Sequence, residues 1–168
     1  MNEAQTIPAA TLTDRDSDGR LVGVAIDGGQ FLAASGNNTW LVAIDGSEHS
    51  LRAATQAGHL AGQMNNCAIH LINVQPWLSK EAAENELPRL GWEATAEARG
   101  LLDRGGVPWR LHVLMGDAVE RIVAQAQRLG CAYIVIGSKG LGATEALLLG
   151  SVAYKVIHLS AMSVLVVR

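Results

Sequence analysis

From Trp40 onward, short aliphatic runs alternate with longer segments in which apolar residues recur every three or four positions. Such short apolar runs are typical of strands that are buried on both faces, whereas the longer spacing is typical of helices with one buried face. The pattern therefore predicts five strands separated by helices. The predicted strands are Trp40–Ile44, Ala68–Val74, Trp109–Leu114, Ala132–Ile136 and Val164–Val167.

The helical segments carry recognisable start signals. Ser47 is a candidate N-cap for the first helix, and Glu48 places a negative charge in its first turn. A long segment from Ser79 to Arg104 reads as a helix that is broken or kinked near Pro88 and Gly91. Two further helices are predicted at residues 118–129 and 151–159.

Five strands joined by four helices predict right-handed crossovers and a mostly parallel five-stranded sheet with helices on both faces. This is an α/β fold of the Rossmann-like type. Ligands in such folds bind beyond the carboxyl ends of the strands, where the winding direction reverses. Asp45, Val74, Gly116 and Gly137 stand at predicted strand ends. The sequence therefore predicts a ligand site among these four residues.

The first 38 residues do not follow the alternation. Met1–Asp18 is polar and is expected to lack regular structure, whereas Leu21–Ile26 and Phe31–Ala34 flank Asp27–Gln30 in a pattern that predicts a β-hairpin. A lone hairpin is marginally stable, so this one is expected to pair with a sheet edge or with another subunit. We therefore divide the chain into an N-terminal extension, residues 1–38, and a domain, residues 39–168.

One tetrapeptide occurs twice, as Ala25–Gly28 and as Ala43–Gly46. Only the second copy is followed by enough residues for a crossover helix. We therefore interpret the second copy as the end of the domain's first strand, and the first copy as a local strand motif without a site of its own.

Composition and charge exclude several function classes. Hydrophobic residues make up 49% of the 168 residues, which is enough for a full core. The net charge is -3 and the basic residues are scattered, whereas binders of nucleic acid or anionic membranes need a concentrated basic surface. The N-terminus does not have the pattern of a secretory signal, and no apolar run approaches the ~20 residues that span a bilayer. We expect a cytoplasmic protein that binds neither nucleic acid nor membranes.

The most informative stretch runs from Gly137 to Ser151, between the fourth predicted strand and the last predicted helix. Glycines let backbone N–H groups approach a ligand closely, and a helix N-terminus favours a phosphate. Ser151 offers a hydroxyl and Lys139 a positive charge. Other nucleotide motifs are absent, including G-x4-G-K-[ST] and a G-x-G-x-x-G after the first strand, and so is the G-x-S-x-G nucleophile elbow.

Gly137, Gly140, Gly150 and Ser151 fit the pattern G-x2-G-x9-G-[ST], and Asp45 ends the first predicted strand. In these features the chain resembles the universal stress protein family, in its ATP-binding branch, over about residues 40–168. The resemblance implies the adenine nucleotide alpha hydrolase-like form of the fold. It also implies ATP as ligand, with Mg²⁺ or Mn²⁺ bridging phosphate oxygens, and a homodimer that pairs through the C-terminal strand.

The resemblance also implies roles for individual residues. Ala43, Ile44 and Asp45 would contact the adenine or ribose side. Val74 would pack near the base, and Gly116 would lie at the wall of the pocket. The residues that would surround the ribose and phosphates are Gly137, Lys139, Gly140, Gly150, Ser151 and the adjacent Val152.

Three functions stay open at this point. The leading hypothesis is an ATP-binding stress-response regulator or sensor, since no nucleophile–base pair is evident in the sequence. The alternatives are a slow metal-dependent ATPase or phosphotransferase, and a nucleotide-free interaction scaffold. For Asp45 itself, the alternative to a ligand contact is a plain cap at the start of the following helix.

Overall fold

A computed structural model describes residues 6–33, 38–142, 144 and 148–168. Its elements follow the predicted alternation and add two strands at the N-terminus. The strands are β1 (Leu12–Arg15), β2 (Leu21–Gly28), β3 (Thr39–Ala43), β4 (Ala68–Gln75), β5 (Trp109–Met115), β6 (Tyr133–Gly137) and β7 (Ser163–Val167). The helices are α1 (Glu48–Gly62), α2 (Lys80–Ala94), α3 (Ala96–Arg104), α4 (Ala118–Leu129) and α5 (Ser151–Leu159).

All seven strands form one sheet in the order β1-β2-β5-β4-β3-β6-β7. β3, β4, β5, β6 and β7 run parallel to one another. β2 is antiparallel to β5, and β1 is antiparallel to β2. From β3 the chain winds outward through β4 to β5, then crosses back to β6 on the other side of β3 and continues to β7, so the winding direction reverses between β3 and β6. The predicted fold class is confirmed, with seven strands in place of the five that were expected.

The helices cover both faces of the sheet. One buried cluster joins α1, α2 and α3 to one face, through residues such as Ala57, Leu87 and Leu102. A second cluster joins α4 and α5 to the other face, through Ile122 and Val156. Buried aliphatic side chains therefore lie on both sides of the central strands, which is why these strands read as continuous apolar runs. Every helix in the described part of the chain is too short or too polar to cross a bilayer.

The N-terminal hairpin uses one of the two predicted strands, because β2 contains Leu21–Ile26, but its partner is β1 and not Phe31–Ala34. β2 pairs with β1 on one side, and on the other side it continues to Gly28 along the edge of β5. The turn lies at Asp16–Arg20, where Asp16 Oδ1 accepts the N–H groups of Asp18 and Arg20 at 3.0 and 2.9 Å. This is an Asx-type turn, and Gly19 within it has a φ of +75°.

Two predictions about this segment are therefore wrong. Met1–Asp18 was expected to lack regular structure, yet it contains β1, and residues 31–33 are not a strand. The remaining residue of the second predicted strand, Ala34, lies outside the described residues, as do residues 1–5. The expectation that the hairpin pairs with a sheet edge is confirmed, because the free edge of β5 supplies the backbone partners for β2.

The helix breaks later than the predicted position near Pro88 and Gly91, and the alternative of a kink there stays a prediction. α2 runs through both residues, and the chain turns at Thr95, whose hydroxyl donates to the carbonyl of Gly91 at 2.8 Å. Gly91 serves close packing instead, since a Cβ there would lie 2.3 Å from the Val113 side chain of β5. The prediction that Ser47 caps α1 is confirmed, because its hydroxyl accepts the N–H of Ser50 at 3.2 Å.

Candidate functional site

A cavity of about 370 Å³ opens where the carboxyl ends of β3, β4 and β6 meet the first turns of α4 and α5. This is the point at which the winding of the sheet reverses, as the fold class predicts. Ten of the eleven residues proposed from the sequence line the cavity. They are Ala43, Ile44, Asp45, Val74, Gly137, Lys139, Gly140, Gly150, Ser151 and Val152.

Gly116 is the one proposed residue that does not line this cavity. It follows β5, one strand further from the reversal than β4, and its N–H donates to the carbonyl of Gln75 at 3.0 Å. Its φ of +133° suits glycine, and a Cβ there would lie 2.8 Å from Nε of Arg121. The structure thus places Gly116 under the Arg121 side chain, beside the cavity and outside it.

Asp45 connects the end of β3 to the glycine-rich loop. One carboxylate oxygen, Oδ1, accepts the N–H of Ser47 at 2.9 Å, and the other, Oδ2, accepts the N–H of Leu141 at 3.1 Å. The first bond is the local helix-leading contact that was the alternative for Asp45, and the second is a long-range contact across the site. A single carboxylate therefore shapes both loops at the cavity mouth.

Three glycines bring the backbone segments of the site close together. At Gly137 a Cβ would lie 2.6 Å from the carbonyl carbon of His49, and at Gly140 it would lie 2.7 Å from Oδ2 of Asp45. Gly150 donates its N–H to the carbonyl of Ser138 at 2.7 Å, which closes the loop onto its own beginning. Loop positions 143 and 145–147 lie outside the described residues.

The N-terminus of α5 points its first turn at the cavity. Its N-cap is Gly150, so no side chain caps the helix, and Ser151, Val152 and Ala153 of the first turn line the cavity. The N–H groups of a helix start carry partial positive charge and bind anions well. Lys139 lines the same cavity and adds a full positive charge. This end of the cavity therefore suits an anionic group.

Much of the cavity lining is apolar. This apolar wall is formed by aliphatic side chains of the strands together with Ala118 and Ile122 of α4. Sequence reasoning did not single out the two α4 residues of this wall, although the spacing of Ala118 and Ile122 put both on one face of a helix. Only the docking of α4 shows that this face turns toward the cavity. The lining residues that were missed are Ser50, Ile72, Ala118, Ile122, Ile136, Gly142 and Ala153.

A metal ion at this site would take most of its ligands from a bound phosphate. Among the described residues, the side chains of His, Cys, Asp and Glu form no group of three that could ligate a metal. Mg²⁺ can be held by one or two protein oxygens together with phosphate oxygens and water, and Asp45 supplies the one carboxylate among the described residues that line the cavity.

Comparison with known proteins identifies the family. A sequence model described as the universal stress protein family matches residues 37–168. The chain is 31% identical to universal stress protein YxiE of Bacillus subtilis over 146 residues, which cover 78% of this chain and 99% of that protein. It is also 32% identical to universal stress protein MJ0531 of Methanocaldococcus jannaschii over 136 residues, which cover 76% of this chain and 80% of that protein.

Solved structures agree with these sequence matches. The fold superposes on the hypothetical protein MJ0577 with a TM-score of 0.66 and 29% identity, covering 77% of this chain and 94% of that one. It superposes on a universal stress protein in complex with cAMP with a TM-score of 0.64 and 27% identity, covering 80% and 99% of the two chains. With a family match over most of its length and two relatives above 30% identity, the chain belongs to the universal stress protein family.

Proposed function

We propose that this protein binds ATP in the cavity at the carboxyl ends of β3, β4 and β6, and that it acts as a regulator or sensor in the stress response. The observation that carries the proposal is that apolar side chains and the N-terminal turn of α5 with Lys139 line the same cavity. An apolar wall that includes Val74 and Ile122 suits a flat base, and the start of α5 with Lys139 suits a polyphosphate.

The relatives support nucleotide binding in general. One similar protein of this family is described in complex with cAMP, and its likeness covers 80% of this chain and 99% of that one. ATP is our choice among nucleotides because Gly137, Lys139 and Gly140 of the glycine-rich loop line the cavity together with the first turn of α5. Mg²⁺ or Mn²⁺ would accompany the phosphates and supply charge neutralisation there.

We further propose a homodimer that pairs through β7. Because this strand is the last in the sheet, its outer edge offers backbone groups to a second copy. Its side chains are mostly half-buried. The neighbouring helix α5 exposes Tyr154, Ile157 and Leu159, with 55, 40 and 63% of their surfaces accessible. Exposed apolar side chains next to a free strand edge support an interface between copies of this chain.

The division into an extension of residues 1–38 and a domain of residues 39–168 is also a proposal, supported by a family match that begins at residue 37. We place the protein in the cytoplasm. The two free cysteines, Cys67 and Cys131, are consistent with a reducing compartment.

The test is release of nucleotide from gently purified protein on acid denaturation, followed by titration with ATP, ADP, AMP and cAMP. We expect ATP or ADP to be released, and we expect the Gly140→Val, Gly150→Val double variant to lose this nucleotide while it stays folded. Gly62→Val is the matched control, because a Cβ at Gly62 meets nothing within 4 Å and Gly62 lies outside the cavity.

Three results would contradict the proposal. Copurified AMP alone would argue against a triphosphate ligand, as would tighter binding of cAMP than of ATP. A wild-type protein without affinity for any of the four nucleotides would remove nucleotide binding altogether.

A further inference from the structure

Ser138 lies directly behind the glycine-rich loop, with only 2% of its surface exposed. Its backbone N–H donates to the carbonyl of Val167 at 2.7 Å, and its carbonyl accepts the N–H of Gly150 at the same distance. The backbone of Ser138 thus holds the end of β6 against β7 on one side and against the N-cap of α5 on the other.

The side chain of Ser138 makes a third connection. Its Oγ lies 3.1 Å from Nδ1 of His49, which is in the first turn of α1. The two backbones are also in contact here, because Gly137 has no side chain to keep β6 away from His49. Because Ser138 is buried, water cannot easily replace a lost partner of its hydroxyl.

The hydrogen bond between Ser138 and His49 is the first of three contacts between two chain segments. Further along, Ser47 Oγ lies 3.5 Å from the carbonyl oxygen of Lys139, and Oδ2 of Asp45 accepts the N–H of Leu141. Residue 49 thus contacts 138, residue 47 contacts 139, and residue 45 contacts 141, so the two segments run in opposite directions. The turn between β3 and α1 therefore contacts the first half of the glycine-rich loop at three points and stabilises its conformation.

We propose that His49 and Ser138 are positioning residues that hold the loop in its phosphate-binding shape, an inference that rests on the proposed ATP site. Neither residue lines the cavity, but both neighbours of Ser138 in the chain, Gly137 and Lys139, do. A loop that is already ordered loses less conformational entropy when a ligand binds, so its affinity for phosphate is higher.

The inference predicts a selective effect on ligands that carry phosphates. Ser138→Ala and His49→Ala should each lower the affinity for ATP about 3- to 10-fold, the effect of one hydrogen bond, with the affinity for adenosine unchanged within about twofold. The double variant should lose about as much as one single variant, because both changes remove the same contact. His49→Asn, which keeps a polar atom near the position of Nδ1, should restore most of the ATP affinity.

Calorimetric titration with ATP and with adenosine measures both affinities, and a urea midpoint for each variant checks its folding. Matched controls are Ser79→Ala, which removes the cap of α2, and His59→Ala, in the last turn of α1 with Gln63 as its hydrogen-bond partner. Neither control residue lines the cavity. If Ser138→Ala fails to fold, the comparison of His49→Ala with His49→Asn still tests the inference, since His49 is only partly buried.

The outcomes separate this inference from the proposed function. Equal losses for ATP and adenosine would show a general structural role and would overturn the inference, as would variants with unchanged ATP affinity. A wild-type protein that binds ATP no more tightly than adenosine would instead contradict the phosphate site itself.

Discussion

The tetrapeptide Ala-Ile-Asp-Gly occurs twice in this chain, and the two copies have different structural roles. In Ala25–Gly28 the aspartate lies within β2, where Asp27 pairs with Arg110 of β5 through two hydrogen bonds of 2.6 and 2.7 Å. In Ala43–Gly46 the aspartate lies just past the end of β3, and Asp45 accepts backbone N–H groups from two loops. Both oxygens of each carboxylate accept hydrogen bonds, but only Asp45 lines the cavity at the carboxyl ends of the strands.

The glycines of the two copies differ as well. Gly28 is required for space, because a Cβ there would lie 2.1 Å from the ring of Trp109. Gly46 is required for its backbone, which has a φ of +85°. The comparison shows that four identical residues do not define a ligand site. The direction of the neighbouring strand and the place of the strand end in the sheet decide what the residues do.

The largest expected effect is a loss of folding stability in acid, which arises beside the first copy of the tetrapeptide. Beside the first copy, the imidazoles of His70 and His112 are buried with their nitrogens 2.8 Å apart, and Phe31 packs edge-on against His70. Burial, together with the charge of Arg110, lowers the pKa of His70 to about 4. Burial, together with His70 and nearby arginines, lowers the pKa of His112 to about 3.

Because folding lowers both pKa values, the unfolded chain binds protons below pH 6.5 that the folded chain does not. The free energy of unfolding is therefore highest above pH 6.5, where both histidines are neutral in the folded and the unfolded chain. It falls as the pH drops toward 4 and then 3, by up to about 1.4 kcal/mol per pH unit for each histidine. Urea unfolding between pH 7 and pH 4 measures the slope. The His70→Gln, His112→Gln variant should flatten it, and an unchanged slope would contradict this account.

Alanine at the two glycines should separate space from backbone conformation. Gly28→Ala should lower the free energy of unfolding by about 3 kcal/mol, because the buried Trp109 ring must move. Gly46→Ala should cost about 1 to 2 kcal/mol, the strain of an L-residue at positive φ. Denaturant midpoints measure both values, and a larger loss for Gly46→Ala would reverse our interpretation of the two glycines.

Substitution of the two aspartates should separate binding from stability. Asp45→Ala frees the N–H of Leu141 and should weaken ATP binding by tenfold or more, which is about 1.4 kcal/mol or more. Asp27→Ala should leave the ATP affinity unchanged within about twofold. Equal losses in the two variants would mean that Asp45 acts only through the stability of the fold.

The smallest expected effect is the loss of folding stability when the Asp27–Arg110 ion pair is removed. Each side chain is 23% exposed, so solvent weakens the interaction, and Asp27→Ala should lower the free energy of unfolding by about 1 kcal/mol. A double-mutant cycle with Arg110→Ala isolates the pair, and added salt should reduce its coupling energy. A coupling energy of zero would leave backbone pairing between β2 and β5 as the contact that holds the first copy in place.

Much of the core and of the candidate site was predictable because its signals are local. The five aliphatic runs correspond to β3–β7 within a residue or two at each end, and the Ser47 cap is present as expected. Gly137, Gly140 and Gly150 could be singled out by their spacing between a strand and a helix. In each case a short stretch of sequence contains the whole signal.

The missed features depend on neighbours that are distant in sequence. The role of β2 depends on the free edge of β5, more than 80 residues later, which adds an antiparallel partner to the sheet. Gly116 stands at a strand end like Val74, but β5 lies one strand further from the reversal, which leaves it outside the cavity. A strand end can be read from one segment, whereas its distance from the reversal is a property of the assembled sheet.

By itself, the sequence determined the alternation of strands and helices, the fold class, and the glycine-rich loop with Asp45 at a strand end. Those features follow from hydrophobic periodicity and from motif spacing, which act over a few residues. Only the tertiary structure decided that α4 supplies the apolar wall, that Ser138 and His49 meet behind the loop, and that the first Ala-Ile-Asp-Gly copy pairs with β5. These contacts form between segments that are far apart in the chain, so no local pattern contains them.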